Sequence, residues 1–289
     1  VEHVKTTIVG AGAMGRWFAD FAKRNLGEVT VADINQVTAA KTASEVGVTA
    51  KSIEEAVPEA ELVLVCVPIS KTPAVVKSVA ERAQRGALVA DIASVKSDVV
   101  ETMQEIGENV ELVSIHPLFG PGAREVKGKD FVMVPVRPGK RYIALKKLLT
   151  KLGARVTEMD AEEHDRVMAV VQCMTHFVLL VYLHSLKSLK GFKFVKKLRT
   201  PMFSRLMELA KSVLAGNPEL YGELQVHNKY ARTARSCLLE SCRALDVAFS
   251  AGNSKSPKVI FKEAISPFKT EEIRRAYEEL YRKFEEGVE

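Results

Sequence analysis

The stretch V-K-T-T-I-V-G-A-G-A-M-G, Val4 to Gly15, sets the fold of the first half of this chain. Its first seven residues, Val4 to Gly10, are a short β-branched run, and Arg16 to Arg24 follow with the spacing of an amphipathic helix. Strand, glycine turn and helix in that order turn a common glycine pattern into a dinucleotide-binding fingerprint. Gly10 allows the tight turn, Gly12 lets the backbone approach a pyrophosphate, and Gly15 lets helix and strand pack closely. Met14 lies in the same turn, and the helix N-terminus that it opens attracts phosphate charge. A glycine turn with a structural role only is the competing reading.

Outward from that turn, a second strand, Glu28 to Ala32, ends in Asp33, about twenty residues beyond the glycines, where an acid accepts hydrogen bonds from ribose hydroxyls. A carboxylate there repels a ribose 2′-phosphate, and no arginine follows Asp33 in D-I-N-Q, so NAD is expected over NADP. The continuous apolar run Ala60 to Pro68 suits a parallel strand buried on both faces, ended by Pro68, which joins the cofactor-binding set. A helix at Thr72 to Gln84, a strand at Ala87 to Ile92 and the turn Ala93 to Lys96 opening a helix to about Ile106 follow. Strands Val110 to Ile115 and Phe131 to Val136, a helix Arg141 to Leu152 and a short run Ala154 to Thr157 complete the alternation. This order predicts an α/β, Rossmann-type, doubly wound and mostly parallel sheet. Ligands of such sheets bind beyond the carboxyl ends of the strands, where Gly10, Asp33, Pro68, Ser94 and His116 all fall.

From Met159 onward strand runs vanish and helical patterns take over: Ala161 to Ser188, Pro201 to Ala215, Pro218 to Phe249 and Lys269 to Glu286. Gly252-Asn253 with Pro257 makes a breaker cluster. The expected domains are therefore residues 1–158, dinucleotide-binding, and 159–289, all helical. The first helix is so apolar over Val167 to Leu186 that it must be buried in a bundle or a subunit interface.

Composition narrows the class. With 47% hydrophobic and 27% charged residues in 289, the chain reads as an ordinary globular protein with enough length for two domains. No run of about 18 apolar residues is evident, so no membrane span is expected. The opening residues enter a strand without a leader pattern, and a cytoplasmic protein is expected. Four cysteines, Cys66, Cys173, Cys237 and Cys242, have neither C-x-x-C nor metal-type spacing and read as reduced packing residues, with no metal expected. The net charge of +6 is densest in Lys187 to Arg199. A solvated face or an attraction for small anions explains that cluster as well as nucleic acid does, and nucleic acid is not expected.

The stretch S-I-H-P-L-F-G-P-G, Ser114 to Gly122, places His116 just past an apolar run and ahead of two prolines and two glycines. A histidine on a stiff turn at a strand end is placed for acid–base chemistry near neutral pH, although a lone histidine before proline is more often a surface or satisfied residue than a base. The surroundings have to decide.

The glycine fingerprint, the turn D-I-A-S-V-K-S and H-P-L-F-G-P, in this order, resemble the prephenate dehydrogenase family, which includes arogenate and cyclohexadienyl dehydrogenases. E-E-H-D at Glu162 to Asp165, Q-C-M-T-H-F at Gln172 to Phe177, T-P-M-F-S-R-L-M-E-L and G-N-P-E-L-Y add to the resemblance, which extends to about Tyr230. It implies an oxidative decarboxylation of prephenate to 4-hydroxyphenylpyruvate with NAD, in a homodimer formed through the helical half. It also implies His116 as the base, Ser94 as a hydrogen-bond partner of the substrate hydroxyl, and Arg205 as the carboxylate anchor. Lys96 becomes a substrate-facing charge, and His176, with Gln172 one turn earlier, faces the substrate side chain. Ser94 is expected besides to cap the helix beginning at Val95 or Lys96, and His164 reads as structural. Prephenate and arogenate stay open, differing by keto against amino on the side chain. The competing classes are a 3-hydroxyacid dehydrogenase or imine reductase, which would place its acid–base residue in the helical half, and a redox sensor that binds dinucleotide without turnover.

Overall fold

The structure, a computed structural model, describes residues 3–189, 197–198, 200–251 and 257–286. Most of the basic cluster at Lys187 to Arg199, and the breaker Gly252-Asn253, lie outside the described residues. Eight strands form one sheet: β1 (Thr6–Val9), β2 (Val29–Ala32), β3 (Thr49–Ala50), β4 (Leu62–Val65), β5 (Leu88–Asp91), β6 (Glu111–Pro117), β7 (Asp130–Arg137) and β8 (Arg155–Glu158). Their order is β3-β2-β1-β4-β5-β6-β7-β8. Every pairing is parallel except β6 with β7. The exception follows from the connection: residues 118–129 contain no helix to carry the chain back across the sheet, so β7 returns alongside β6 in the opposite sense.

Both faces of the sheet are covered, as the fully buried four-residue strands β1, β4 and β5 require. On one face α1 (Ala13–Asn25), α2 (Gln36–Val46) and α6 (Lys140–Lys151) pack on Ile8, Leu64, Val113, Ile115 and Met133. On the other, α4 (Thr72–Arg82) and α5 (Ser97–Gln104) pack on Val9, Val63, Val65, Leu112 and Val134, and the short α3 (Ile53–Ala56) adds Ile53. Alternation along β6 then decides where its polar residues go: Val113 and Ile115 face α1 and α6, so Ser114 and His116 share the α5 face with Leu112.

The loop after β6 is pinned to α1. Phe119 meets Trp17 edge-on at a ring separation of 5.0 Å and Phe131 at 5.3 Å, and Trp17 Nε1–H donates to the Ala123 carbonyl at 2.6 Å. Burying each such ring contributes on the order of 1.5–3 kcal/mol, so the Gly- and Pro-rich segment is held in one place relative to the glycine turn. The strand runs further than the apolar pattern indicates: His116 and Pro117 still pair with Val132 and Phe131. Pro117 is tolerated because β5 has ended opposite Ser114, leaving its far side without a ladder.

The chain divides into two compact units, Val1–Met168 with Val226–Asn228, and Ala169–Gln225 with Lys229–Glu289. In the first, α7 (Ala161–Met168) packs on α5. The second is all helix: a π-helical turn (Ala169–Met174), α8 (Thr175–Ser188), α9 (Pro201–Leu214), α10 (Pro218–His227), α11 (Ala231–Ser250), α12 (Pro257–Ile265) and α13 (Thr270–Glu286). Here α9 packs on α8 and α13, and α11 on the π turn and α12. Two helical expectations need correction. The single helix expected over Pro218 to Phe249 is broken after His227, where Asn228 turns inward and spends its side-chain amide on the Asp165 carbonyl at 2.8 Å. The helix α12 begins at Pro257, which the sequence pattern marks only as part of a breaker.

The absence of a membrane-length apolar segment is also corrected: Ala161–Ser188 forms 28 continuous helical residues, and by length and composition alone they could cross a membrane. Only 17% of its most apolar window is buried within the chain, with Val170, Val171, Val178 and Val181 exposed.

Candidate active site

The glycine turn has the shape its residues require. Gly10 holds φ +107, and a Cβ there would stand 2.3 Å from the Cys66 carbonyl oxygen. A Cβ on Gly15 would stand 1.8 Å from the Gly10 carbonyl oxygen. Gly12 caps α1 and faces open space, with nothing within 4 Å of an added Cβ. The first turn of α1, which contains Met14, carries no acidic residue, so its amide groups are electrostatically available to a pyrophosphate.

Asp33, at the end of β2, accepts from the Ala11 amide at 2.7 Å through Oδ2 and from the Asn35 amide at 2.8 Å through Oδ1. The carboxylate therefore braces the glycine turn and keeps further acceptor capacity for a ribose. A cleft of about 540 Å³ opens beside it, lined by Gly10, Asp33, Ile34, Val67, Pro68 and Val75 among others. Its apolar walls, including Ile34 at 93% exposure, suit an adenine ring. This donor and wall set fits an adenine dinucleotide.

Along the α5 face, the carboxyl ends of β5 and β6 and the start of α7 bring together five buried ionisable side chains: Asp91, Lys96, His116, His164 and Asp165. His116 Nδ1 lies 2.8 Å from His164 Nε2, and His164 Nδ1 lies 2.8 Å from Asp165 Oδ1. Burial comes first among the causes, and proximity to His164 and Lys96, which disfavours adding a further positive charge, acts in the same direction; together they push His116 well below the ordinary histidine range, so its imidazole is neutral at physiological pH. Burial also lowers His164, partly offset by its bond to Asp165.

Three sequence expectations change here. Lys96, expected to face substrate, is fully buried; its ammonium donates to the Ile115 carbonyl at 2.7 Å and to Asp91 Oδ1 at 3.2 Å. Burial pulls that ammonium below its usual range, and Asp91 and Asp165 pull it back up. Ser94 does not cap α5, which begins at Ser97; instead Asp165 accepts from the Lys96 amide at 2.8 Å and the Ser97 amide at 2.9 Å. Ser94 is half-buried in the turn after β5. His164, read as structural, is bonded to His116, and its neighbour Asp165 was not singled out at all. The only signal for the pair was E-E-H-D at a helix start, which does not say what the histidine meets.

The remaining expected residues lie in the helical unit. Gln172 sits in the π turn, a local widening of the helix that recurs at functional positions. His176 opens α8, its ring edge-on to Tyr221 at 4.7 Å, and its Nδ1 has no hydrogen-bond partner among the described residues. Burial lowers its pKa. Arg205, on α9, is partly exposed at 38% and pairs with Glu208 at 2.5 Å.

The family model of the prephenate dehydrogenase nucleotide-binding domain matches residues 18–158, and that of the dimerization domain matches residues 160–262. A 4-amino-4-deoxyprephenate dehydrogenase from Streptomyces pristinaespiralis is 30% identical over 262 residues, covering 88% of this chain and 87% of that protein. A probable arogenate/prephenate dehydrogenase from Methanocaldococcus jannaschii is 29% identical over 277 residues, 93% of this chain; the chain spans 62% of that relative's length. Among solved structures, prephenate dehydrogenase from A. aeolicus, in complex with hydroxyphenyl propionate and NAD+, has a TM-score of 0.73 at 22% identity, over 92% of this chain and 98% of that one.

Proposed function

Since the chain belongs to the prephenate dehydrogenase family, we propose that it oxidatively decarboxylates prephenate to 4-hydroxyphenylpyruvate with NAD as cofactor. The observation that carries the reading is the buried imidazole of His116 at the carboxyl end of β6, the same end of the parallel strands at which the glycine turn follows β1 and Asp33 follows β2.

Gly10, Gly12, Gly15 and the first turn of α1 would hold the pyrophosphate, Asp33 the adenosine ribose, and Ile34, Val67 and Pro68 the adenine. When bound, NAD supplies the two-electron acceptor for the hydrogen leaving C4 of the substrate ring. His116 takes the proton of the C4 hydroxyl as that oxygen becomes a carbonyl; a base is required there because the C–H bond breaks only as the C–O bond gains double-bond character. Ser94 donates to the same oxygen and orients it. Carbon dioxide then leaves as the ring becomes aromatic: its bonding pair passes through the ring to the C4 oxygen, which takes back from His116 the proton it gave up, with no further acid or base needed at the departing carboxylate. Arg205 offers a guanidinium fork suited to a carboxylate.

The boundary proposed at residues 158 and 159 falls between the two matched stretches. A cytoplasmic homodimer completes the reading, with the apolar helix Ala161–Ser188 covered by a second copy rather than by lipid. Relatives named for prephenate, arogenate and 4-amino-4-deoxyprephenate share the family. A neutral imidazole base is matched to the C4 hydroxyl that prephenate and arogenate share and that 4-amino-4-deoxyprephenate replaces with an amino group.

His116→Asn tests the base. It should lower kcat by about 10²- to 10⁴-fold with little change in KM or NAD affinity. The acid limb of the wild-type pH profile should fall below the ordinary histidine value of about 6.5 and vanish in the variant. Near-normal kcat in His116→Asn with the limb intact would sink the proposal. Ratios of kcat/KM for prephenate, arogenate and 4-amino-4-deoxyprephenate decide the substrate.

A further inference from the structure

We propose that His164 and Asp165 are positioning residues that fix the tautomer of His116, making Nε2 its basic nitrogen. The inference rests on the reading of His116 as the base, and it follows from counting protons along a chain of three side chains.

Asp165 is the fixed end. Its Oδ1 accepts from the Lys96 amide at 2.8 Å and lies 2.8 Å from His164 Nδ1. Its Oδ2 accepts from the Ser97 amide at 2.9 Å and the Ser97 hydroxyl at 2.6 Å. Burial pushes this carboxyl up, but the bonds from His164, Ser97 and the two amides outweigh it and leave the group below its usual range. Asp165 is thus an ionised, acceptor-only group. His164 Nδ1 must then carry the proton that it gives to Asp165. Because His164 is neutral, its Nε2 has only a lone pair, and the nitrogen facing it 2.8 Å away, Nδ1 of His116, must be the donor. One proton remains on neutral His116, it sits on Nδ1, and the lone pair is on Nε2.

The opposite polarity would require a proton on Asp165, against the two amides and the Ser97 hydroxyl directed at it. Burial strengthens the constraint: His164 and Asp165 are both fully buried, so no solvent replaces a lost partner. A histidine at this strand end without the chain could adopt either tautomer, and the wrong one has no base on Nε2. In a Ser-His-Asp triad, the acid-to-amide change that reverses the tautomer costs about 10⁴-fold in kcat.

The test uses the full chain labelled with ¹⁵N at histidine, together with its His164→Gln and His164→Leu variants. Long-range ¹H–¹⁵N correlation spectra, with His116 assigned by its loss in His116→Asn, report directly which ring nitrogen carries the proton and need no substrate. In the unmutated protein His116 should be protonated on Nδ1. His164→Gln places an amide oxygen where the lone pair of Nε2 stood, so it should keep that tautomer and retain kcat within about tenfold. His164→Leu removes the acceptor and should mix the tautomers and lower kcat by about 10²- to 10³-fold, with KM for prephenate and NAD affinity within about twofold. Asp165→Asn should reverse the chain and put the His116 proton on Nε2. An unmutated His116 protonated on Nε2 overturns the proposal, as does a His164→Leu variant with tautomer and kcat unchanged. If prephenate is not turned over at all, the function reading fails while the spectra still decide the tautomer.

Discussion

Replacing Lys96 by methionine separates two roles that sequence reasoning could not tell apart. Methionine keeps the length and apolar stem of lysine but removes the ammonium that donates to Asp91 Oδ1 and the Ile115 carbonyl. Asp91 and Lys96 are both fully buried, and Asp91 Oδ2 has no hydrogen-bond partner among the described residues. Stripping one partner from a buried ion pair leaves the other charge uncompensated, which costs about 3–5 kcal/mol. At roughly 2–4 °C per kcal/mol for a unit of this size, Tm should fall by about 6–20 °C. Adding Asp91→Asn removes the stranded charge and keeps an oxygen for the Ala93 amide, so the double variant should recover much of the loss. Lys96 also helps to hold down the pKa of His116, so the acid limb of the activity profile should move upward in Lys96→Met. Thermal unfolding by circular dichroism and steady-state kinetics on the same samples read all of this. A variant that melts within about 2 °C of the parent but binds prephenate poorly would show that the lysine faces substrate and that the buried pair is wrong.

Changing Asp33 to asparagine should narrow the preference for NAD over NADP, since the carboxylate at the end of β2 would meet the 2′-phosphate; equal or better kcat/KM with NADP in the unmutated chain would contradict this. Arg205→Ala should raise KM for prephenate by a large factor with a smaller effect on kcat, because a charge-assisted pair present in ground and transition states alike is removed; an unchanged KM would rule out the anchor. Light scattering should give the mass of a dimer, because the exposed valines of the Ala161–Ser188 helix need a cover; a monomer at micromolar concentration would refute this.

The glycine turn, Asp33, Pro68 and the alternation of strands and helices were legible in the sequence because each is a local constraint. A positive φ at Gly10, the absence of room for a Cβ at Gly15, and a run of β-branched residues act within a few residues of themselves. His116 was legible as a residue at a strand end, and β-alternation then chose its face.

What the sequence left undecided depends on partners far along the chain. Lys96 reads as a substrate-facing cation until the fold buries its ammonium against Asp91 and the Ile115 carbonyl and α7, packed on α5, brings Asp165, 69 residues away, onto its amide. His164 reads as structural until tertiary packing sets its ring against His116, 48 residues distant. Neither Asn228 nor its neighbours announce a helix break; the buried Asp165 carbonyl, 63 residues back, makes ending the helix there worthwhile. A side chain's charge state and hydrogen-bond polarity are set by burial and by whatever faces it. No local pattern encodes those, so His116 could be proposed as a base from the sequence, but the contacts that link it to His164 and Asp165 required the fold.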